Sequence, residues 1–90
     1  MAEVVDNVAR SRFELVEQGQ TAVADYVRRG AVLALPHVEA PPALRGTGAA
    51  GRLMEGLLTL VRERGEKVDP QCPYAAAYIR RHKEWQDLVA

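Results

Sequence analysis

Apolar and polar residues alternate along three successive stretches in the first half of the chain, residues 11–17, 20–28 and 31–39. In the first stretch Phe13 and Leu15 share one side, and the period of two continues through the second. A period of two is typical of β-strands that bury one face. Because a short turn containing glycine separates each pair of stretches, the pattern predicts three consecutive strands in an antiparallel meander.

The third predicted strand contains Pro36, which has no amide hydrogen to donate to a β-ladder. We therefore expect a bulge or a one-sided gap in the sheet at this position. After this strand, residues 40–43 have the sequence Ala-Pro-Pro-Ala. A residue that precedes proline avoids helical geometry, so this segment is predicted to be an extended connector.

The spacing of apolar residues changes to that of a helix at residue 50. The apolar positions of this helix are Ala50, Leu53, Met54, Leu57, Leu60 and Val61. They form one stripe that faces a core, whereas Arg52 and the other polar residues of the helix are expected to face solvent. Gly65 suits the left-handed position just beyond a helix end, so the helix is predicted to stop there.

The remaining third of the chain predicts one more strand and one more helix. Residues 66–71 are a short strand candidate, and a strand–helix–strand connection would place it parallel to the third strand. Pro73 directly after Cys72 suits the first position of a helix, which the alanine-rich residues 74–81 continue. The pattern therefore predicts a glycine-turn helix, a parallel strand and a C-terminal helix after the meander.

These elements make one small domain of the α/β class with a mixed sheet. We expect it to occupy residues 11–90, with residues 1–10 as a loosely held lead-in. At the C-terminal end, we expect Trp85, Leu88 and Val89 to fold back onto the core.

The composition limits the classes of function. The 90 residues carry 12 basic and 12 acidic side chains, so no net charge draws the protein to nucleic acid or to anionic membranes. The single cysteine, Cys72, has no partner for an internal disulfide, and no basic segment followed by an apolar run opens the chain. We therefore expect a cytoplasmic protein. We also expect a monomer or a weak homodimer that holds no metal.

The turn before the first helix (residues 45–49, the glycine turn) begins a G-x-G-x-x-G pattern formed by Gly46, Gly48 and Gly51. A glycine turn that opens a helix gathers unpaired N–H groups at the positive end of the helix dipole, which suits a diphosphate. A tight loop whose glycines serve only the backbone is the alternative. A dinucleotide-binding fingerprint with Asp69 as its acidic residue fits poorly, because the glycines do not directly follow a buried strand.

Residues 45–50, Arg-Gly-Thr-Gly-Ala-Ala, resemble the R/Q-x-x-G-x-G/A acyl-CoA signature of the GNAT acetyltransferase superfamily. Residues 37–46, 72–74 and 78–85 resemble, in this order, segments of a family of very small GNAT-like proteins. The resemblance covers about residues 6–89. It implies a minimal GNAT-like fold and an N-acetyltransferase that uses acetyl-CoA as its co-substrate.

The resemblance also implies where CoA binds. Backbone amides of the glycine turn would hold the diphosphate, while the pantetheine arm would lie in a split beside the third strand. The residues that it assigns to cofactor binding are Val38, Arg45, Gly46, Thr47, Gly48, Ala49 and Ala50. Thr47 stands where the small family more often has a basic residue, so we expect the backbone rather than this side chain to hold the phosphates.

Acetyl transfer from a thioester to an amine needs a base that removes the amine proton. Glu39 ends the strand that leads to the glycine turn and His37 shares its strand face, so either is a candidate base. Cys72 begins the last helix, where a helix N-terminus lowers the pKa of a thiol and favours a nucleophile. The alternatives are a solvated glutamate, a packed histidine and a structural buried cysteine.

Tyr74 and Tyr78 lie one helical turn apart, and the resemblance implies that either can protonate the departing CoA thiolate. Packing against the sheet is the alternative for both. Three functions therefore stay open. They are an acetyl-CoA-dependent transferase acting on an unidentified amine, a non-catalytic CoA-binding module, and a protein-interaction domain that binds no CoA.

Overall fold

A computed structural model describes residues 3–90 of the chain. Five strands form one mixed sheet in the order β1-β2-β3-β4-β5, and two α-helices pack on one of its faces. The elements are β1 (Val5–Asn7), β2 (Arg12–Glu17), β3 (Gln20–Arg29), β4 (Val32–Glu39), α1 (Ala49–Glu63), β5 (Lys67–Asp69) and α2 (Pro73–Arg81). The predicted α/β class, with a meander followed by a parallel strand, is confirmed.

Strands β2, β3 and β4 are antiparallel neighbours, as the alternating pattern predicts. The turn between β2 and β3 is formed by Gln18 and Gly19, whose φ angles are 51° and 72°. Positive φ at both positions gives the turn the twist that a two-residue hairpin needs. Strand β5 pairs parallel to β4 after the crossover through α1, which is the predicted arrangement.

Strand β4 is irregular around Pro36. Asp25 of β3 pairs with His37, and Val27 pairs with Ala34, so between these pairs β4 holds one residue more than β3. The extra residue bends the strand where the proline removes a ladder hydrogen bond. The bulge predicted at this position is confirmed.

One apolar core lies between the helices and the sheet. Its largest fully buried side chains are Phe13, Leu33, Leu35, Leu44, Leu53, Met54, Leu57, Leu58, Val61 and Val68. Side chains that alternate with the core residues along the strands, such as Val16 and Val27, are exposed. The face of the sheet opposite the helices (the open face) is therefore accessible to solvent.

The buried side of α1 differs slightly from the predicted stripe. Ala49 and Leu58 are fully buried, whereas Ala50 and Leu60 are only half-buried. Helix α1 contacts both the sheet and α2. Its buried arc is therefore displaced and widened relative to a stripe that faces a single layer.

The structure differs from the loose lead-in predicted for residues 1–10. Strand β1 pairs with β2 at the edge of the sheet. Within β1, Asp6 accepts hydrogen bonds of 2.8 Å from the Tyr26 hydroxyl and from the Arg64 guanidinium. A three-residue strand is too short to show alternation, so no pattern in residues 5–7 predicts it. The prediction for residues 1–2 lies outside the described residues.

The C-terminal segment folds back mostly as predicted. A 3-10 helix at Lys83–Leu88 buries Leu88 and packs the half-buried Trp85 against the core. The prediction for Val89 is wrong, because its side chain is exposed. Its backbone forms a parallel bridge with Val68 at the edge of the sheet, and this strand-like geometry turns the side chain to solvent.

A close contact between α1 and the N-terminal segment yields a prediction for Gly56. A Cβ atom at Gly56 would lie 2.2 Å from a methyl group of Val4 and 2.7 Å from its Cβ. Helix propensity alone favours alanine by about 1 kcal/mol. We nevertheless expect Gly56→Ala to lower the melting temperature, because relieving this overlap costs about 1–3 kcal/mol.

Gly51→Ala is the matched control, because its Cβ would meet Tyr78 at an ordinary 3.7 Å on the same helix. Thermal unfolding of both variants by circular dichroism checks the prediction. If Gly56→Ala melts above the wild type, as propensity alone predicts, the packing of Val4 on α1 is contradicted.

The surface ion pairs predict how stability depends on pH. Three carboxylates accept hydrogen bonds from arginines: Glu14 from Arg12, Glu17 from Arg52, and Asp87 from Arg62. These hydrogen bonds lower the pKa of each carboxyl below its usual value of 4.5 for Glu or 3.8 for Asp. The stabilisation is fully present above those usual values and is lost as the pH falls through the lowered pKa values of the folded state.

We therefore expect the free energy of unfolding in urea to fall steadily from about pH 5 to about pH 2. The decline should be smaller in high salt, because exposed ion pairs are screened. A stability that is flat or rising over this acid range would contradict the ion pairs seen here.

Candidate functional site

Strands β4 and β5 pair over three residues and then separate. Their last pair is Ala34 and Asp69, and the Cys72 amide then donates a 2.8 Å hydrogen bond to the Leu35 carbonyl. Beyond this bond β4 continues to Glu39, and among the described residues only β3 pairs with it there. The free edge of β4 and the start of α2 therefore border a gap in the sheet, which we call the fork.

The glycine turn has a defined internal geometry. Gly46 and Gly48 have φ angles of +80° and +86°, in the left-handed region that glycine adopts readily. The Thr47 hydroxyl donates to the Leu44 carbonyl at 2.6 Å and accepts from the Ala49 amide at 3.3 Å. The Thr47 side chain therefore shapes the turn.

Unpaired backbone amides lie at the start of α1. Within the part of the chain that the structure describes, the amides of Gly48, Ala50 and Gly51 have no hydrogen-bond acceptor. Beside them is a cavity of about 250 Å³, lined by the connector, the glycine turn, the first turn of α1 and Tyr74. Unpaired amides and the helix dipole both favour an anion, so this cavity (the glycine-turn cavity) is the candidate phosphate site.

Most residues predicted to bind a cofactor lie around this cavity. Those in its lining are Arg45, Gly46, Gly48, Ala49 and Ala50. Arg45 is exposed and donates from Nε to the Ala40 carbonyl at 3.2 Å. Val38 lies on β4 and packs against the core, at the edge of the fork rather than in the cavity. The glycine-turn cavity and the fork both border the start of α2.

His37 and Glu39 lie side by side on β4. The distance from His37 Nε2 to Glu39 Oε2 is 3.7 Å, and the two side chains are 52% and 57% exposed. Because Val38 between them packs against the core, strand alternation places both on the open face of the sheet. The pair can therefore accept a proton from a group that approaches the fork from the open face.

Cys72 lies at the base of the fork, on the side of the helices. It is the residue before α2 and 8% exposed, and it belongs to the apolar core cluster. Its amide bond to Leu35 holds it where β4 and β5 part. Cys72 and the His37–Glu39 pair thus border the fork from opposite sides of the sheet, which the sequence did not indicate.

Tyr74 and Tyr78 line a second cleft, of about 370 Å³, between α1 and α2. Their ring centroids are 6.5 Å apart, and Tyr78 stacks on His82 at 4.0 Å. Burial raises the pKa of both phenols, so both hydroxyls stay protonated at neutral pH and can donate hydrogen bonds. Gly48 and Gly51 also line this cleft, and Tyr74 lines the glycine-turn cavity as well, so the two spaces adjoin.

Sequence reasoning missed two residues of this region. His82 follows Tyr78 by four positions, and this spacing was an available signal for a shared helix face. Arg52 is exposed, as predicted, but it also donates from Nη1 to the Thr47 carbonyl at 3.0 Å. No sequence signal indicates this contact, because it depends on the direction of one carbonyl inside the turn.

Across residues 3–90, no group of three or more His, Cys, Asp or Glu side chains is arranged to hold a metal ion. Among the helices of that range, none has the length and apolar content needed to cross a membrane.

Comparison with known proteins identifies a family. A family model described as GCN5-related N-acetyl-transferase matches residues 12–88. The match spans β2 to β5, both α-helices and the glycine turn, and so includes every element that borders the fork and the glycine-turn cavity. No curated protein matches the chain.

Proposed function

Because the chain belongs to the GCN5-related N-acetyltransferase family, we propose that it binds acetyl-CoA and transfers the acetyl group to an amine. One observation carries this proposal: unpaired amides at the start of α1 line a cavity close to the fork between β4 and β5. A diphosphate suits the amides, and an extended arm suits a free strand edge. Together they fit the diphosphate and the pantetheine arm of CoA.

The diphosphate is proposed to bind the amides of Gly48, Ala50 and Gly51. Each unpaired amide can donate a charge-assisted hydrogen bond, and the dipole of the 15-residue α1 adds a partial positive charge. Among the described residues these amides have no hydrogen-bond acceptor, so binding an anion breaks no hydrogen bond that they make there.

The acetyl group is proposed to pass through Cys72. Its thiolate attacks the thioester carbonyl carbon, the bond from that carbon to the CoA sulfur breaks, and the proton lost by Cys72 ends on the CoA sulfur. Tyr74 or Tyr78 is the proposed relay for that proton, since burial keeps both hydroxyls protonated. The products of this step are acetyl-Cys72 and CoA.

The second step returns Cys72 to its starting form. The amine nitrogen attacks the acetyl-Cys72 carbonyl from the open face, and the His37–Glu39 pair accepts the amine proton. The carbon–sulfur bond breaks, the amide is released, and the proton passes to the Cys72 sulfur. In these two steps the nucleophile acts from the helix side of the fork and the base acts from the open face.

A non-catalytic CoA-binding module is the second candidate. Two observations favour it: Cys72 is almost fully buried, and the His37–Glu39 pair is more than half exposed. A nucleophile needs access to the thioester, which the burial of Cys72 limits, and exposure of the pair to water weakens its electrostatic interactions with a substrate. Binding without turnover would agree with both observations.

An assay of CoA release from acetyl-CoA in the presence of a mixed pool of amines separates the two candidates. The transferase predicts release that depends on the amines and falls on the order of 10²-fold in Glu39→Gln. Glu63→Gln, an exposed carboxylate on α1, is the control that keeps the rate. Thermal stabilisation by CoA without CoA release supports the module. The absence of both stabilisation and release contradicts both candidates.

A further inference from the structure

Arg52 connects the glycine turn to the hairpin between β2 and β3. Its Nη1 atom donates to the Thr47 carbonyl at 3.0 Å. Its Nε and Nη2 atoms donate to the two carboxylate oxygens of Glu17, at the end of β2, at 2.8 Å and 2.7 Å. One guanidinium therefore joins three elements, because Arg52 itself lies in α1.

This contact fixes the direction of one peptide group in the turn. In a trans peptide, the carbonyl of Thr47 and the N–H of Gly48 point in opposite directions. Arg52 holds the carbonyl, so the Gly48 N–H points away from the guanidinium. Gly48 lines both the glycine-turn cavity and the cleft between α1 and α2, whereas Arg52 lines only the cleft. A Gly48 N–H that points away from the guanidinium therefore points away from the part of the cleft that Arg52 occupies, which agrees with an anion bound on the side of the glycine-turn cavity.

The same guanidinium also limits the residue that can occupy position 48. A Cβ atom at Gly48 would lie 3.0 Å from Arg52 Nη1, and the φ angle of +86° disfavours any side chain there. The amide and hydroxyl of Thr47 already restrain the turn on either side of this peptide group, but among the described residues only Arg52 donates a hydrogen bond to its carbonyl. Arg52 therefore restricts a rotation of this peptide group that the two glycines favour.

We propose that Arg52 is a positioning residue for the diphosphate site, and that Glu17 holds Arg52 in place for this role. Arg52 acts on the ligand through the Thr47–Gly48 peptide, which it keeps with the N–H toward the bound anion. This inference rests on the proposed function, because it assumes that CoA binds at the glycine turn.

The chain contains a matched control on the same helix. Arg62 donates two hydrogen bonds to Asp87, at 2.9 Å and 2.8 Å, and a third to the Glu84 carbonyl at 2.6 Å. The Arg52 and Arg62 side chains are 49% and 45% exposed. The two arginines thus make the same kinds of contact, but only Arg52 touches the glycine turn.

The test is isothermal titration of CoA into the wild type, Arg52→Gln, Arg52→Lys, Glu17→Gln and Arg62→Gln. We expect Arg52→Gln to weaken CoA binding about three- to tenfold, which is the range for the loss of one ordinary hydrogen bond. Lysine can reach either Thr47 or Glu17 but not both, so Arg52→Lys should give a partial rescue. Arg62→Gln should bind CoA as the wild type does, with a similar loss of stability.

Glu17→Gln distinguishes positioning from direct contact with the ligand. A positioning role predicts that this variant weakens CoA binding in the same direction as Arg52→Gln. Tighter binding in Glu17→Gln would overturn the proposal, because it would mean that a released Arg52 contacts the phosphates itself. Equal affinities of Arg52→Gln and Arg62→Gln would also overturn it.

Amide hydrogen exchange without ligand separates this inference from the proposed function. Positioning predicts faster exchange at Gly48 in Arg52→Gln than in Arg62→Gln, whether or not CoA binds. If the wild type does not bind CoA, the proposed function fails while this exchange difference remains. If the exchange rates are equal in the two variants, the positioning role fails while CoA binding by the wild type stands.

Discussion

Ala50→Glu is expected to weaken CoA binding by about 30- to 700-fold while leaving the fold intact. Ala50 is half-buried in the first turn of α1 and lines the glycine-turn cavity. A carboxylate there faces the diphosphate, and two like charges about 4 Å apart near a protein surface repel by roughly 2–4 kcal/mol. The same carboxylate interacts favourably with the helix dipole, by about 0.3–1 kcal/mol, so the helix should not lose stability.

Thr59→Glu is the control for the added charge. Thr59 is exposed on the same helix and lines a different surface groove, beside the N-terminal segment. Titration calorimetry with CoA and thermal unfolding of both variants check the prediction. If Ala50→Glu and Thr59→Glu bind CoA equally well, the diphosphate does not lie at the start of α1.

Cys72→Ala is expected to abolish amine acetylation, with a loss on the order of 10²-fold or more, while CoA binding stays within about twofold of the wild type. The proposed route needs the Cys72 sulfur as the first acceptor of the acetyl group. The diphosphate binds at α1, so the main source of CoA affinity is untouched. Kinetics with acetyl-CoA should therefore show a change in kcat and little change in KM.

Mass spectrometry provides an independent measurement on the wild type. After incubation with acetyl-CoA and no amine, one acetyl group should appear on the peptide that contains Cys72, and an added amine should remove it. Cys72→Ser is the isosteric control, since it keeps the volume and lacks the thiol. Full acetylation activity in Cys72→Ala would mean that the amine attacks the CoA thioester directly.

The sequence was sufficient to predict the elements whose pattern is local. The alternation around Phe13 and Leu15 predicted β2, and the buried side chains of both confirm it. Pro36 predicted the bulge in β4, because a missing amide hydrogen has the same effect in any sheet. Gly65, with a φ angle of +67°, lies just beyond the end of α1 as predicted.

The features that the sequence did not reveal depend on contacts between distant segments. Strand β1 exists because β2 offers an edge and because Tyr26 and Arg64 hold Asp6, and none of these contacts has a local signature. The exposure of Val89 likewise follows from its backbone bridge to β5. The apolar character of Val89 predicted that its side chain would be buried, but the backbone bridge turns the side chain to solvent.

In the candidate site, too, features with a local sequence pattern were predicted and features that depend on distant contacts were not. The glycine turn was visible in the sequence, since glycine spacing before a helix has a known physical meaning. The fork was visible only in part, through Pro36. That Cys72 and the His37–Glu39 pair lie on opposite sides of the sheet was not visible, because it follows from the register of β4 after its bulge. The contacts of the exposed Arg52 were not predicted, because its partners, Thr47 and Glu17, come from two other segments.

The central claim is that the unpaired amides at the start of α1 hold the diphosphate of CoA. Titration of the ¹⁵N-labelled protein with CoA, and separately with inorganic pyrophosphate, tests it most directly. We predict that both ligands shift the amide resonances of Gly48, Ala50 and Gly51 more than those of any other residues. Shifts confined to other parts of the molecule, or no shifts at saturating CoA, would contradict the claim.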